Sequence, residues 1–423
     1  MNDEIKFESK RDENGMLLRF KATKYAENEA SNFLDNLKKT DLYLATKLVF
    51  GEKNLNEFIK KTFFEDTKKY FLKSYIANFD NRKNNTKNLF KRKVDEPYLT
   101  KILNKINDNK NIIFTENKSK VFFIKLKFKI KIFYYFLLKI ISPKFILNKN
   151  ENIKIGVSFV EGINKYKRSD LFWHDKNKLS HDNIIVYFEN SYFKHRYDNK
   201  FKGEIENNLI QNGYKTVDNW KFKKIYNVKK FSTLKEKLKI NYKNPNEKYL
   251  AFILEIFLLR IEFWYSFFLH YEIRIDFSQF ELGNDQIAKK IALELLNGCV
   301  VKKVRSYVGH SDAEMLHAYD DHVVFVWGED LAKRLIRNNY KPNTIIISGF
   351  YSNPIKIKDD KFLSFINNKK KKLLILDNIY SDNNEKDIDS GVYQVFSYED
   401  YYQFYKRILN LLNSNLDLKI IIK

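Results

Sequence analysis

The stretch HVVFVWGEDLAKRLIRNNYKPNTIIISG, from His322 to Gly349, contains the pattern that decides the fold. A short apolar run (322–327) is followed by a helical pattern (328–341) and then by a second apolar run (344–349). Asp330 lies near the expected amino terminus of the helix and basic residues lie toward its other end, as the helix dipole favours. Strand, helix and strand in this order predict a parallel sheet of the Rossmann type.

Similar apolar runs earlier in the chain predict further strands of the same sheet. They are IKIGVSFV (Ile153–Val160), NIIVYFE (Asn183–Glu189) and the segment Val300–Val308. Helical patterns lie between them, and the most apolar is Tyr249–Ile273, which charged residues interrupt. A membrane-spanning helix needs about 20 consecutive apolar residues, so we interpret this stretch as a buried helix.

Polar residues interrupt that predicted helix at a helical spacing. Glu255, Glu262 and Ser266 are seven and four residues apart, so they would share one helix face. Such a face is either a polar seam inside the protein or the solvent edge of a core helix, and both interpretations stay open.

The expected fold class is α/β, with three regions along the chain. Residues 1–150 predict a mainly helical N-terminal region, with the apolar spacing of an amphipathic helix from Ala30, for example. Within it, the Asn- and Lys-rich stretch 79–93 predicts a solvated loop. Residues 151–354 predict one Rossmann-like domain. Residues 355–423 contain a strand, a helix and a strand, which predict the start of a second, incomplete Rossmann-like domain.

Composition limits the class of protein. The chain has 423 residues, of which 44% are apolar and 31% charged, and these values are typical of a globular protein and not of a disordered one. Its single cysteine, Cys299, excludes a disulfide framework and a zinc site made of thiolates. The polar start MNDEIKFESKRDENG lacks the apolar core of a secretion signal, so we expect a cytoplasmic protein.

The formal net charge of +24 has two interpretations, and both stay open. The chain is rich in Lys, Asn, Ile and Phe, whose codons are AT-rich, so part of the excess reflects genome composition. A basic chain is also attracted to anionic lipids, nucleotide phosphates and nucleic acid. Only 12 of the 77 basic residues are arginine, the residue that nucleic-acid recognition prefers, so we expect no specific nucleic-acid partner.

The segment Lys118–Lys149 concentrates this charge, with nine lysines and no acidic residue. From Ile124 to Ile132 apolar residues and lysines alternate strictly, which predicts a strand with one basic face. The longest unbroken apolar run, Ile132–Leu138, has seven residues and is too short to span a membrane. The segment is either a patch for peripheral membrane contact or a half-buried element whose lysines reach solvent.

The loop after the first predicted strand of the sheet contains glycine and several charged residues. Ligands of open α/β sheets bind beyond the carboxyl ends of the strands. We therefore expect the backbone near Gly162, with Lys167 and Arg168, to hold a phosphate or an anionic sugar. Asp170 belongs to the same cluster. The loop matches no glycine-rich nucleotide fingerprint, and a solvated surface loop is the alternative.

Polar residues also follow the second predicted strand, where Glu189 and Asn190 lie. A carboxylate at such a position can act as a general base or can hold a sugar hydroxyl group. The alternative is a turn or helix cap.

Three further positions follow predicted strands. Gly309 and His310 follow the strand from Val300, where the imidazole can donate to a phosphate or act as a base. Their surroundings hold several His, Asp and Glu residues without a recognised metal-binding spacing, so we expect no metal site. Gly349 allows a sharp turn at a hinge. Asp377 and Asn378 occupy the corresponding place in the next unit, and ordinary turns are the alternative.

Two groups of residues carry a resemblance to a known family. The run YDDHVVFVWGEDLAKRLIRNNYKPNTIIISGF resembles the middle of bacterial surface-polysaccharide glycosyltransferases of the GT-B type, and teichoic-acid polymerases have a similar arrangement. GVSFVEGINKYKRSDLFW and IIVYFEN resemble a narrower group of polysaccharide-biosynthesis proteins with a Pro-Phe-Thr-Ser motif, which this chain lacks.

The resemblance covers roughly residues 150–423 and implies a function. It implies two facing Rossmann-like domains, with the acceptor on the side of residues 151–354 and a nucleotide-activated sugar on the side of residues 355–423. The acceptor would be a glycan or a lipid-linked glycan, and the reaction would need no cofactor. The second domain would be truncated in this chain.

Our first hypothesis is therefore a metal-independent glycosyltransferase of surface or capsular polysaccharide, at the inner face of the cytoplasmic membrane. His310 or Glu189 would be the base, and Lys and Arg would stabilise the leaving nucleotide. The alternatives are a non-catalytic basic protein that binds membranes or nucleic acid, and an inactive truncated remnant of the enzyme.

Overall fold

The structure is a computed structural model, and it describes the following residues: 18–83, 89–107, 111–142, 153–159, 171, 174, 179–189, 199–278, 284–304, 321–337, 342–349, 371–375, 398–414 and 418–422. The chain divides into two compact units. The smaller contains residues 1–25, 68–88 and 354–423, and the larger contains residues 26–67 and 89–353.

Strands and helices alternate through most of the described residues. The strands are β1 (Phe90–Val94), β2 (Ile112–Glu116), β3 (Lys154–Ser158), β4 (Ile184–Phe188), β5 (Lys215–Asp218), β6 (Ile273–Ser278), β7 (Cys299–Lys303), β8 (Val323–Val326), β9 (Thr344–Ile347), β10 (Lys371–Ile375) and β11 (Leu418–Ile422). The α-helices are α1 (Leu18–Leu37), α2 (Asp41–Phe50), α3 (Glu52–Lys83), α4 (Leu99–Ile106), α5 (Lys118–Ile141), α6 (Asn199–Gln211), α7 (Ser232–Leu238), α8 (Pro245–His270), α9 (Asn284–Glu294), α10 (Glu329–Arg337) and α11 (Tyr398–Ser414).

The larger unit is built on a seven-stranded sheet with the order β5-β4-β3-β6-β7-β8-β9. All neighbouring strands in it are parallel. From β3 the chain first adds strands on one side and then, from β6, on the other, so the direction reverses between β3 and β6. The expected α/β class with a Rossmann-like parallel sheet is thereby confirmed.

The two faces of this sheet differ in chemistry. One face carries an apolar core that includes Val157, Val186 and Phe188 and packs against Leu209 of α6. On the other face, the ring of Tyr187 lies 5.4 Å from that of Phe267 in α8. Buried polar residues also occupy this second face, and they form the candidate site described below.

The smaller unit contains the strand–helix–strand order expected for residues 355–423. β10 and β11 pair in parallel, and α11 connects them in sequence. This confirms the local pattern of strand, helix and strand. The assignment of the segment to a donor domain stays a prediction.

The N-terminal part of the larger unit is mainly helical, as the apolar spacing indicates. The predicted helix from Ala30 is divided between α1 and α2, with a break at residues 38–40. The predicted loop over residues 79–93 is wrong at both ends, because α3 continues to Lys83 and β1 begins at Phe90. β1 pairs in parallel with β2, which supplies the hydrogen bonds that this polar segment needs.

The strand predicted at Ile124–Ile132 is also wrong, because these residues lie in the 24-residue helix α5. Asn117 caps the helix through its side chain, and no glycine or proline interrupts it. Buried or half-buried residues of α5 recur every three or four positions, which is the helical period: Val121, Lys125, Phe128, Ile132, Tyr135 and Leu138, with Lys139 half-buried beside the last of them. Burying this stripe stabilises the helix more than the nine-residue alternation favours a strand. None of the described helices has the length and apolar character that a membrane crossing requires.

Candidate functional site

A row of polar side chains crosses the sheet near the carboxyl ends of four strands. Ser158 is paired with Tyr187, and Ser278 is paired with Lys302, so each pair points to one face of the sheet. All four residues are buried. The row lies where β3 and β6 are adjacent, which is the switch point at which open α/β sheets bind ligands.

A buried carboxylate, Glu189, directly follows β4, the strand that contains Tyr187. Glu189 accepts a hydrogen bond from the Ser158 hydroxyl at 2.6 Å and forms an ion pair with Lys289 of α9. Both contacts use Oε1 of Glu189, and Lys289 is fully buried. Burial alone would lower the pKa of Lys289, but the carboxylates of Glu189 and Asp276 outweigh it and raise that pKa. The ammonium group therefore stays charged and fixes the carboxylate.

A second buried carboxylate, Asp276, lies in the middle of β6. The Tyr187 hydroxyl donates to its Oδ1 at 2.6 Å, and its Oδ2 has no hydrogen-bond partner among the described atoms. Burial raises the pKa of Asp276 to about 6, although the charge of Lys289 opposes the shift. The Lys289 ammonium also lies 4.6 Å from the ring centre of Trp264, which closes the cluster on the side of α8.

The polar row continues to β7 as a second buried ion pair. Lys302 and Asp321 approach to 2.5 Å, and both side chains are almost fully buried. Lys61 of α3 interacts electrostatically with both, and burial lowers its pKa to about 8. A concentration of buried charges with shifted pKa values is typical of ligand-binding or catalytic sites, although structural networks also produce it.

Two of the residues predicted for the site are described. Glu189 lies in the row, as expected for a residue that follows a strand. Gly349 follows β9 with a φ of 72°, a left-handed conformation that favours glycine, and its carbonyl oxygen lies 3.5 Å from the Lys303 ammonium. The other predicted residues lie outside the described residues: Gly162, Lys167, Arg168, Asp170, Asn190, Gly309, His310, Asp377 and Asn378.

Most of the described site was missed by the sequence analysis. Asp276 interrupts the apolar strand IRIDFS, and this acid in a strand was an available signal. Lys289 lies in the helical pattern DQIAKKIALELL, where a lysine is usually expected at the surface. No local pattern pairs Lys289 with Glu189, because 100 residues separate them.

A second polar cluster lies on the other side of α8, in a cavity of about 530 Å³ between α5, α7 and α8. Glu262 is fully buried there and forms ion pairs with Lys139 at 2.7 Å and with Lys235. Glu255 lines the same cavity, and burial raises its pKa. Ser266 is also fully buried and accepts a hydrogen bond from the Tyr226 amide. The polar seam predicted on this helix is therefore confirmed for Glu262 and Ser266, and the solvent-edge alternative is wrong for them.

No cluster of three or more His, Cys, Asp or Glu side chains in the described part of the chain is arranged to hold a metal ion. No protein-family model matches the sequence, and no curated protein is similar to it at a significant level. The class that the structure defines is an α/β protein with a Rossmann-like parallel sheet.

Proposed function

We propose that the larger unit binds a nucleotide-activated sugar at the carboxyl edge of its seven-stranded sheet and transfers the sugar to a glycan or lipid-linked acceptor. The observation that carries the proposal is the buried Ser158–Glu189–Lys289 cluster beside the switch point between β3 and β6. The sequence resemblance to polysaccharide glycosyltransferases supports the choice of substrate. The resemblance implies a donor site on the side of residues 355–423, whereas our proposal places the donor in the larger unit, because the buried cluster around Glu189 lies there. A cytoplasmic location at the inner face of the membrane is part of the same proposal.

Glu189 has the position of a hydroxyl-binding carboxylate. In doubly wound sheets, an acid after the second strand accepts a hydrogen bond from a ribose hydroxyl. Glu189 follows β4, the strand next to β3, and the contacts to described residues occupy only Oε1. Its other oxygen, Oε2, would accept a hydrogen bond from a hydroxyl group of the donor. The contacts with Ser158 and Lys289 hold Glu189 in place, so we assign Glu189 to binding and keep His310 as the proposed base.

The proposed reaction needs positive charge where the nucleotide leaves. The base takes the proton of the acceptor hydroxyl, the acceptor oxygen forms a bond to the sugar carbon, and the nucleotide leaves with the electron pair of the broken bond. Lys167 and Arg168, which follow β3 in the sequence, would stabilise the negative charge on that nucleotide. This assignment extends the sequence prediction for these two residues.

A thermal-shift experiment on the full chain tests the proposal. UDP-, GDP-, CMP- and CDP-linked sugars are added singly, and a ligand that binds the native state raises the melting temperature. The site variant is Glu189→Gln/Lys289→Met, because removing both charges avoids leaving an unpaired buried ammonium. The control is Glu272→Gln, which makes the same chemical change in an exposed ion pair with Lys154 at the opposite edge of the sheet.

We expect one of the nucleotide sugars to raise the melting temperature of the wild type and of the control by several degrees, and the site variant to lose this shift. Absence of a shift with every nucleotide sugar in the wild type would contradict the proposal. An unchanged shift in the site variant would show that the nucleotide sugar binds elsewhere than at the carboxyl ends of the strands.

A further inference from the structure

Helix α5 presents an apolar face to solvent along its whole length. Phe133 is 61% exposed and Ile141 is 73% exposed, although side chains of this kind are usually buried. The large apolar residues exposed on the helix are Phe122, Phe123, Ile124, Leu126, Ile130, Phe133, Tyr134, Phe136, Leu137, Ile140 and Ile141. A continuous apolar patch of this kind marks an interaction surface.

The opposite side of α5 is held firmly by the larger unit, so the outward face has a fixed orientation. The rings of Phe128 and Phe252 pack edge to face at 5.6 Å between α5 and α8. Near the start of the helix, the Lys120 ammonium forms an ion pair with Asp95 at 2.8 Å. Near its end, Lys139 reaches the buried Glu262. Turning the apolar face inward would break all these contacts.

Lysines border the apolar face on both sides. Residues of an α-helix advance by about 100° each, which places six of the seven lysines of α5 in two rows beside the exposed apolar residues. One row contains Lys118, Lys125 and Lys129, and the other contains Lys120, Lys127 and Lys131. Leu126, Ile130, Phe133 and Leu137 lie midway between the rows, and residues 118–141 include no acidic side chain.

We infer that this face of α5 lies in the surface of a bilayer of anionic phospholipids, with the helix axis parallel to the membrane plane. The apolar residues enter the boundary between headgroups and acyl chains, and the lysines beside them stay at the level of the headgroup phosphates. Each lysine near such a surface contributes about 1 kcal/mol of attraction. Lys223, whose ammonium lies 6.0 Å from the ring centre of Tyr134, extends the basic border beyond the helix.

The charge pattern selects this occupant over two others. A second copy of the chain seated on the same face would bring lysine rows against lysine rows, with no acid in α5 to pair with them. A nucleic acid would meet the lysines, but its phosphates would press against the apolar centre of the face. An anionic bilayer matches both the charged borders and the apolar centre.

Cosedimentation with vesicles tests the inference on the full chain. The vesicles consist of phosphatidylcholine alone or of phosphatidylcholine mixed with phosphatidylglycerol. The apolar variant is Ile130→Ser/Phe133→Ser, and the basic variant is Lys118→Gln/Lys127→Gln/Lys129→Gln, which leaves the ion pair of Lys120 with Asp95 intact. The matched control is Leu44→Ser/Leu48→Ser, which removes two exposed leucines of α2. Thermal unfolding of each variant confirms that it remains folded.

We expect the wild type and the control to bind the anionic vesicles and to bind the neutral ones far more weakly. The basic variant should bind the anionic vesicles on the order of 100-fold more weakly. The apolar variant lacks two side chains that the wild type buries in the membrane, so it should bind the anionic vesicles about tenfold more weakly or worse. Equal binding to both vesicle types, or an apolar variant that binds like the wild type, would overturn the inference. The inference would also be overturned if the wild type bound no vesicles and instead formed a concentration-dependent dimer, or a complex with duplex DNA, that the same α5 variants abolish.

Discussion

Helices α5 and α8 have similar lengths, 24 and 26 residues, and both are rich in large apolar side chains, yet they lie in opposite environments. α8 buries residues around its whole circumference, whereas Val121 and Leu138 are the two residues of α5 that are buried. The charges explain the difference. Six of the seven lysines of α5 border an apolar face, whereas α8 has acidic residues that half-buried lysines can neutralise. Apolar content alone does not therefore decide which helix forms the core.

The largest expected effect compares one phenylalanine from each helix. Phe257 of α8 is fully buried and stacks on Phe58 with ring centres 3.8 Å apart. Phe257→Ala should lower the free energy of unfolding by about 3–5 kcal/mol, because it leaves a cavity. Phe133→Ala on the outward face of α5 should change it by about 0.5 kcal/mol or less. Urea unfolding of both variants measures the difference, and similar losses would mean that the outward face of α5 is covered in solution.

The next prediction concerns the contact that joins the two helices. Glu262→Gln leaves Lys139 and Lys235 without their buried counter-charge, so we expect a loss of about 3 kcal/mol in the free energy of unfolding. Adding Lys139→Met should recover part of this loss, because one unpaired ammonium is removed. Urea unfolding of the single and double variants measures both changes. A double variant no more stable than the single one would show that the ion pair does not set the position of α5.

A third prediction concerns the side of α8 that faces the sheet, where Trp264 helps to cover the charged cluster. The pKa of Asp276 is about 6 in the folded protein and 3.8 without the fold, so folding favours the protonated acid. Ionisation therefore destabilises the wild type progressively between about pH 4 and pH 6, and the full penalty is present above that range. Relative to Asp276→Asn, the wild type should lose on the order of 3 kcal/mol of its free energy of unfolding as the pH rises through this range.

Urea unfolding of the wild type and of Asp276→Asn at several pH values measures this difference. The asparagine keeps an oxygen that can accept from Tyr187, and it does not titrate. A difference between the two proteins that stays constant from pH 4 to pH 7 would contradict the raised pKa.

The smallest expected effect belongs to the solvent-exposed border of α5. Lys120→Gln removes an ion pair with Asp95 whose lysine is largely exposed, so the loss in the free energy of unfolding should be about 0.2–1 kcal/mol. Added salt screens such pairs, so the loss should shrink as ionic strength rises. Thermal unfolding at low and high salt measures it. A loss as large as that of Glu262→Gln would show that this end of α5 depends on a surface charge.

The sequence by itself predicted five strands of the sheet, β3, β4, β7, β8 and β9, because apolar runs are local signals. It missed β5 and β6, and Ile273, where β6 begins, was placed at the end of the predicted helix. It also identified α8 as a buried helix and Glu189 as a polar residue at a strand end. It failed at α5, where a nine-residue alternation of lysine and apolar residues has the period of a strand. The helical stripe that packs on α8 shows its periodicity only when the whole segment is placed against its neighbours.

Only the tertiary structure decided the strand order, the switch point between β3 and β6 and the partners of the buried charges. Lys289 and Glu189 meet because α9, which contains Lys289, packs against β6 and β7 of the same sheet, although 100 residues separate the two. The direction of the apolar face of α5 is likewise set by distant contacts such as Lys139 with Glu262. A charge or an apolar side chain acquires its role from what surrounds it, and those surroundings come from residues far away in the sequence.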